Sequence, residues 1–135
     1  ALLCLFVGNV LIMGAVLCSA ELRKSTTNIL IFNLAVADFL VSGVIDSFMA
    51  VGVLVGKSFF DKYVSLCHFV AAFCLIVCET SMVSIALLAC NRYVHICHHS
   101  FYKRVNSVRN TLVLCALAWL VGILIDVPNL AGKIC

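Results

Sequence analysis

The chain has 135 residues, of which 64% are hydrophobic and 11% charged, with nine basic and six acidic side chains giving a net charge of +3. An ordinary soluble domain is about 45–50% apolar and about 25% charged, and a soluble domain this small leaves too much surface wet to hide such a composition. A soluble globular enzyme, a disordered chain and a nucleic-acid-binding surface are all excluded, and the mean hydropathy of +1.20 points to a membrane protein.

One helical crossing needs about 20 apolar residues, so a chain of this length with short loops predicts four crossings. The first apolar stretch covers residues 1–20 and is uncharged throughout. It lacks a basic leader and a small-residue cleavage site, which favours a membrane span over a signal peptide. Glu21, Arg23 and Lys24 mark a short polar loop. The second stretch, 28–55, contains Asp38 and Asp46, and residues 56–63 (GKSFFDKY) form the next loop. The third stretch, 64–97, is interrupted by Glu79 and Arg92 and is long enough to tilt or project beyond the bilayer. Residues 98–109 read as a basic loop, and the fourth stretch is 110–130, with Asp126 and Pro128 near its end. The spans must be helices, because lipid offers no hydrogen bonds to an open backbone. The chain starts and stops beside apolar runs, which predicts a piece of a longer protein.

Lys and Arg in short loops set orientation. Arg23, Lys24, Arg92, Lys103, Arg104 and Arg109 lie on one side, against Lys57, Lys62 and Lys133 on the other. That asymmetry predicts a cytosolic face bearing the first group and an extracellular N-terminus.

Most of the nine cysteines lie in apolar stretches, where a thiol behaves as a small hydrophobe. Cys67 falls at the outer end of the third stretch, where a disulfide can persist, and Cys135 is the other cysteine on that side. Charges at bilayer depth usually face the bundle interior or a cavity. Asp38 is therefore either a hydrogen-bonded or protonated structural carboxyl, or an ion or proton site, with Asn9 and Ser81 at similar depth. Glu79 is either a pocket group or a protonated structural one. Arg92 alone reads as a snorkelling anchor. His95, His98 and His99 read as interfacial and solvated rather than as a metal cluster.

Several of these residues stand together as motifs. Gly8-Asn9-Val10, the run Asn33-Leu34-Ala35-Val36-Ala37-Asp38, Asn91-Arg92-Tyr93, Trp119 with Pro128 beyond it, and Cys67 placed 25 residues before Arg92 occur in order along nearly the whole chain. In this the chain resembles the rhodopsin-like G-protein-coupled receptors, with Asn-Arg-Tyr where that family has Asp-Arg-Tyr. The resemblance implies an all-α membrane protein comprising the first four helices of a seven-helix receptor bundle. It implies an allosteric Na⁺ site at Asp38 and Ser81, a G-protein-coupling switch at Asn91, Arg92 and Tyr93, and a disulfide from Cys67 to the second extracellular loop, for which Cys135 is the candidate partner. Tyr93, Phe101, Lys103 and Arg104 then face the G protein or lipid headgroups. Asn91 replaces a charged restraint on Arg92 with a neutral hydrogen bond, or else caps the helix end.

A closer resemblance is to melatonin receptors, carried by Asn91-Arg92-Tyr93 continuing into Ile96-Cys97-His98 with a serine soon after, and by Val127-Pro128-Asn129-Leu130 followed by Ala131-Gly132. It implies a receptor that couples an extracellular ligand, an indoleamine such as melatonin, to an inhibitory G protein that lowers cyclic AMP. Asn129 is the implied ligand contact, or alternatively a stabiliser of the fourth helix end. Cys74, Leu75, Cys78 and Glu79 would line the same pocket. Leu75 stands where melatonin receptors have glycine, Glu79 adds a carboxylate they lack, and Phe60 and His99 also depart from the pattern. Amine receptors carry an aspartate 18 residues before the arginine, where this chain has Cys74, which argues against a monoamine agonist. The alternatives are a rhodopsin-like receptor for another non-amine ligand, and a true four-span adhesion or transport protein.

Overall fold

The computed structural model describes residues 2–131. Four apolar helical stretches pack side by side, and no strand occurs among the described residues. The first helix, α1, is Leu2–Cys18, and a 3-10 turn at Leu22–Lys24 follows it. Helix α2, Thr26–Leu40, runs through a π turn at Val41–Ile45 into α3, Asp46–Val55. Together they make one apolar helix of 30 residues. A short helix α4, Lys57–Lys62, leads to α5, Val64–Cys97, the longest at 34 residues. Helix α6, Val105 at its end and His99 at its start, precedes α7, Val108–Ala131.

Three of these helices are long and apolar enough to cross a bilayer: Thr26–Val55, Val64–Cys97 and Val108–Asp126. Helix α1 is apolar and shorter, at 17 residues or about 26 Å. Helix α5 extends about 50 Å, well beyond a hydrocarbon core of about 30 Å.

Helix α5 sits centrally, packed against α7 on one side and α2 on the other, and α2 also packs on α1. Lipid supplies no hydrophobic drive between helices, so close approach through small residues does that work. Ala35, Ala37, Ala72, Cys115 and Ala118 are accordingly buried at these seams. Gly122 lets α7 approach α5 most closely: a Cβ there would lie 3.1 Å from the Ile76 carbonyl oxygen. Phe6 and Phe39 join α1 to α2 with ring centroids 4.9 Å apart.

Hydroxyls buried at the seams are satisfied by their own helix. Ser42 donates to the Asp38 carbonyl at 2.8 Å, Thr80 to that of Ile76 at 2.8 Å, and Ser84 to that of Thr80 at 2.6 Å. Gly56, with φ +88°, ends α3 in a conformation only glycine adopts freely. Just before it, a Cβ on Gly52 would overlap the Phe60 ring, so the absence of a side chain there lets Phe60 pack against α3.

Two segments read from sequence as loops are helical. Residues 56–63 and 98–109 contain α4 and α6, because neither has a proline and each carries aromatics that dock back onto the bundle. Phe59 and Phe60 meet Phe48, and Tyr102 contacts the His95 ring.

Candidate functional site

The bundle holds three polar clusters along its length. At mid-depth, Ser81 Oγ on α5 donates to Asp38 Oδ1 on α2 at 3.1 Å. Asn9, Asp38, Ser42 and Asp46 line one cavity of about 230 Å³ beside this pair. The structure thus brings Asn9, Asp38 and Ser81 together, and adds Asp46, which had no role on sequence grounds. The π turn is what aims Asp46 there. It inserts an extra residue between Asp38 and Asp46, and Ser42 holds it by donating to the carbonyls of Asp38 and Phe39. Carboxylate, hydroxyl and amide oxygens are the hard donors an alkali cation accepts.

One turn toward Arg92 lies a clamp that sequence reading missed. Asn33 Nδ2 donates to Ser84 Oγ at 2.7 Å, and Trp119 Nε1 donates to Asn33 Oδ1 at 3.0 Å. One amide therefore ties α2, α5 and α7 together at both of its ends. Asn33 and Trp119 were legible as motif residues, but their partnership depends on the packing of three helices.

At the end bearing Arg92, Asn91 Nδ2 donates to Thr27 Oγ1 on α2 at 3.0 Å. The neutral bond expected between Asn91 and Arg92 is therefore redirected: the amide reaches across to the neighbouring helix, because Asn91 faces α2 while Arg92 turns outward. Asn91 does not cap α5, which ends at Cys97 with His98 beyond it. Arg92 and Tyr93 are exposed. Arg92 lines a cavity of about 390 Å³ with Ser25, Thr27, His95, Ile96 and Tyr102. Tyr102 Oη lies 3.3 Å from Thr26 Oγ1, which ties α6 to the start of α2. His95 pairs edge-on with His99 at 5.7 Å and with Tyr102 at 4.5 Å, and no group of three metal-ligating side chains forms among the described residues.

At the other end, Cys67 is disulfide-bonded, and the other described cysteines are free. Cys135 lies outside the described residues. Cys74 and Cys78 face the same side of α5 with their sulfurs 3.9 Å apart. Leu75 is exposed, whereas Glu79 is half-buried. Glu79 Oε2 is buried and has no hydrogen-bond partner among the described residues. Asp126, on α7, is 1% exposed, and it was noted in the sequence without a role. Asn129 belongs to α7, but its side chain lies outside the described residues.

Three helices long and apolar enough to cross a bilayer, with a carboxylate at mid-depth and an exposed arginine at one end, define a multi-pass membrane protein. The chain belongs to the rhodopsin family of 7 transmembrane receptors, which it matches over residues 8–133. Its four apolar stretches are part of that family's helical bundle, and this replaces the four-span adhesion or transport alternative. Among its relatives, the alpha-1D adrenergic receptor of Sus scrofa is 33% identical over 125 residues, covering 93% of this chain and 21% of the relative. The D(1B) dopamine receptor of Mus musculus is 34% identical over 119 residues, covering 88% of this chain and 24% of the relative. The chain therefore spans less than a quarter of the length of these two receptors. They are adrenergic and dopamine receptors, so the melatonin-receptor expectation draws no support from them.

Proposed function

We propose that the complete protein is a plasma-membrane G-protein-coupled receptor for a small non-monoamine ligand of the melatonin type. Ligand binding shifts a conformational equilibrium, and the face bearing Arg92 then promotes nucleotide exchange on an inhibitory G protein, lowering cyclic AMP. That face is cytosolic and the N-terminus is extracellular. No chemistry on the ligand is involved.

The observation that carries this reading is the uncharged Cys74–Cys78 face, which offers no carboxylate at the point where amine receptors pair a ligand ammonium. Asn129 donates to or accepts from the ligand. Cys67 pairs with Cys135 to pin the outer loop across the cavity. Na⁺ is held by Asp38 and Ser81, with Asn9 nearby, and favours the resting state. Arg92, free of an acidic neighbour at position 91, engages the G protein with Tyr93 beside it.

A second reading has its own support. Glu79 Oε2 is buried without a partner, and an unpaired buried carboxylate invites a cation. Two relatives are named as adrenergic and dopamine receptors. In this reading a ligand ammonium pairs with Glu79, about one and a half helical turns below Cys74.

Cyclic AMP measured in cells expressing the full-length chain separates them. A fall with melatonin that Asn129→Ala abolishes supports the first. A response to noradrenaline or dopamine that Glu79→Gln abolishes supports the second. Silence toward all three from a receptor present at the surface overturns both ligand assignments.

A further inference from the structure

Cys74, Cys78 and Ser81 stand at i, i+4 and i+7 on α5 and so share one helical stripe. The direction of that stripe is fixed at its inner end, where Ser81 donates to Asp38 on α2 at 3.1 Å. The two thiols therefore continue the stripe that Ser81 turns toward α2, with Cys74 half-buried and Cys78 exposed.

The sulfurs of Cys74 and Cys78 are 3.9 Å apart, and both thiols are free. A tetrahedral zinc ion with bonds of about 2.3 Å to each of two thiolates holds those sulfurs about 3.8 Å apart. The pair is thus spaced to chelate such an ion with almost no rearrangement, on a rigid helix that has already met the ordering cost.

We propose that Cys74 and Cys78 form a two-thiolate site for a thiophilic d¹⁰ cation, with Zn²⁺ as the physiological occupant, in the wall of the ligand cavity. Binding releases the two thiol protons as both sulfurs coordinate. The two thiolates together neutralise the cation's charge. No third His, Cys, Asp or Glu closes a cage among the described residues. The remaining coordination positions stay open to water or to a donor atom of the ligand, whereas a structural zinc site is closed by four protein ligands. Soft sulfur selects zinc over Mg²⁺ or Ca²⁺. The site rests on the reading that this face of α5 lines the receptor's cavity.

The test is residue-resolved alkylation of the full-length receptor, its Cys67 disulfide intact, with a water-soluble maleimide, read by mass spectrometry with and without ZnCl₂. Zn²⁺ should protect Cys74 and Cys78 together, and MgCl₂ should protect neither. Cys74→Ser should raise the Zn²⁺ concentration that half-protects Cys78 on the order of a hundredfold, and Cys78→Ser should do the same for Cys74, because each loses its chelate partner. Serine is nearly isosteric, and surface expression of each variant checks its folding. If both thiols are labelled and Zn²⁺ changes nothing, or if each is protected equally well without the other, the metal site is overturned and the cavity reading stands. If neither thiol is labelled, both fall.

Discussion

Asn33 carries more of the bundle's connectivity than its single position implies. Its amide donates to Ser84 and accepts from Trp119, so truncation strands the Trp119 N–H and removes a donor from Ser84, whose own hydroxyl still donates to the Thr80 carbonyl. Side-chain hydrogen bonds between membrane helices average about 0.6 kcal/mol and reach about 1.7. Asn33→Ala should therefore cost about 1–3 kcal/mol, and Trp119→Phe, which removes one bond and little volume, about 1 kcal/mol. Thermal unfolding of the purified full-length receptor reads both, and an unchanged midpoint for Asn33→Ala would show that the clamp contributes nothing. Asn91 acts on a different property. Its amide now donates to Thr27 and leaves Arg92 without a hydrogen-bond or ion-pair partner among the described residues. A carboxylate at position 91 would accept from the Thr27 hydroxyl and also attract Arg92, and charge-assisted bonds are roughly twice as strong as neutral ones. Asn91→Asp should lower agonist-free nucleotide exchange on the G protein. Equal or higher basal exchange would mean that Arg92 is restrained from elsewhere.

At the scale of elements, long uncharged runs made the helices legible, because lipid permits almost nothing else. The motif residues Asn9, Asp38 and Ser81 were legible as one cluster for the same reason, since depth in the membrane is readable from position along a span. Three features were not. The π turn lies in Val41–Ile45, whose apolar composition matches ordinary helix, and it is decided by where the Ser42 hydroxyl finds its carbonyls. Helix α6 was hidden by its basic composition, which reads as loop, although Tyr102 docks back onto the start of α2. The partnership of Asn33 with Trp119 needs the α2–α7 distance, which sequence does not contain. That distance depends in turn on Gly122. A side chain there must displace the Ile76 carbonyl, 3.1 Å from the Cβ position, or push α7 away from α5. Overpacking of this kind costs about 1–3 kcal/mol. Gly122→Leu should lower the unfolding midpoint accordingly, and combined with Trp119→Phe it should cost less than the sum of the two, because a displaced α7 has already lost the indole's bond to Asn33.

For the whole molecule, the central cavity sits between the face with Cys74 and the face with Arg92, so an ion held there can couple the two. Coupling requires that the ion prefer one conformation, and it is reciprocal: whatever favours the resting state with Na⁺ bound must expel Na⁺ when agonist wins. Asp38 supplies the charge, while Ser81 and Asn9 supply neutral donors from α5 and α1, so the site draws three helices together. Coupling free energies of about 1–3 kcal/mol correspond to about 5–150-fold in affinity. Replacing an organic cation by Na⁺ at constant ionic strength should therefore weaken agonist binding to the full-length receptor at least about fivefold. Asp38→Asn keeps the acceptor for Ser81 but removes the charge, and should make agonist affinity indifferent to Na⁺. Ser81→Ala keeps the charge and should only blunt the effect. If Asp38→Asn retained the full sodium response, the carboxylate would be a structural hydrogen-bond acceptor for Ser81, and the two faces would communicate through the helix seams alone.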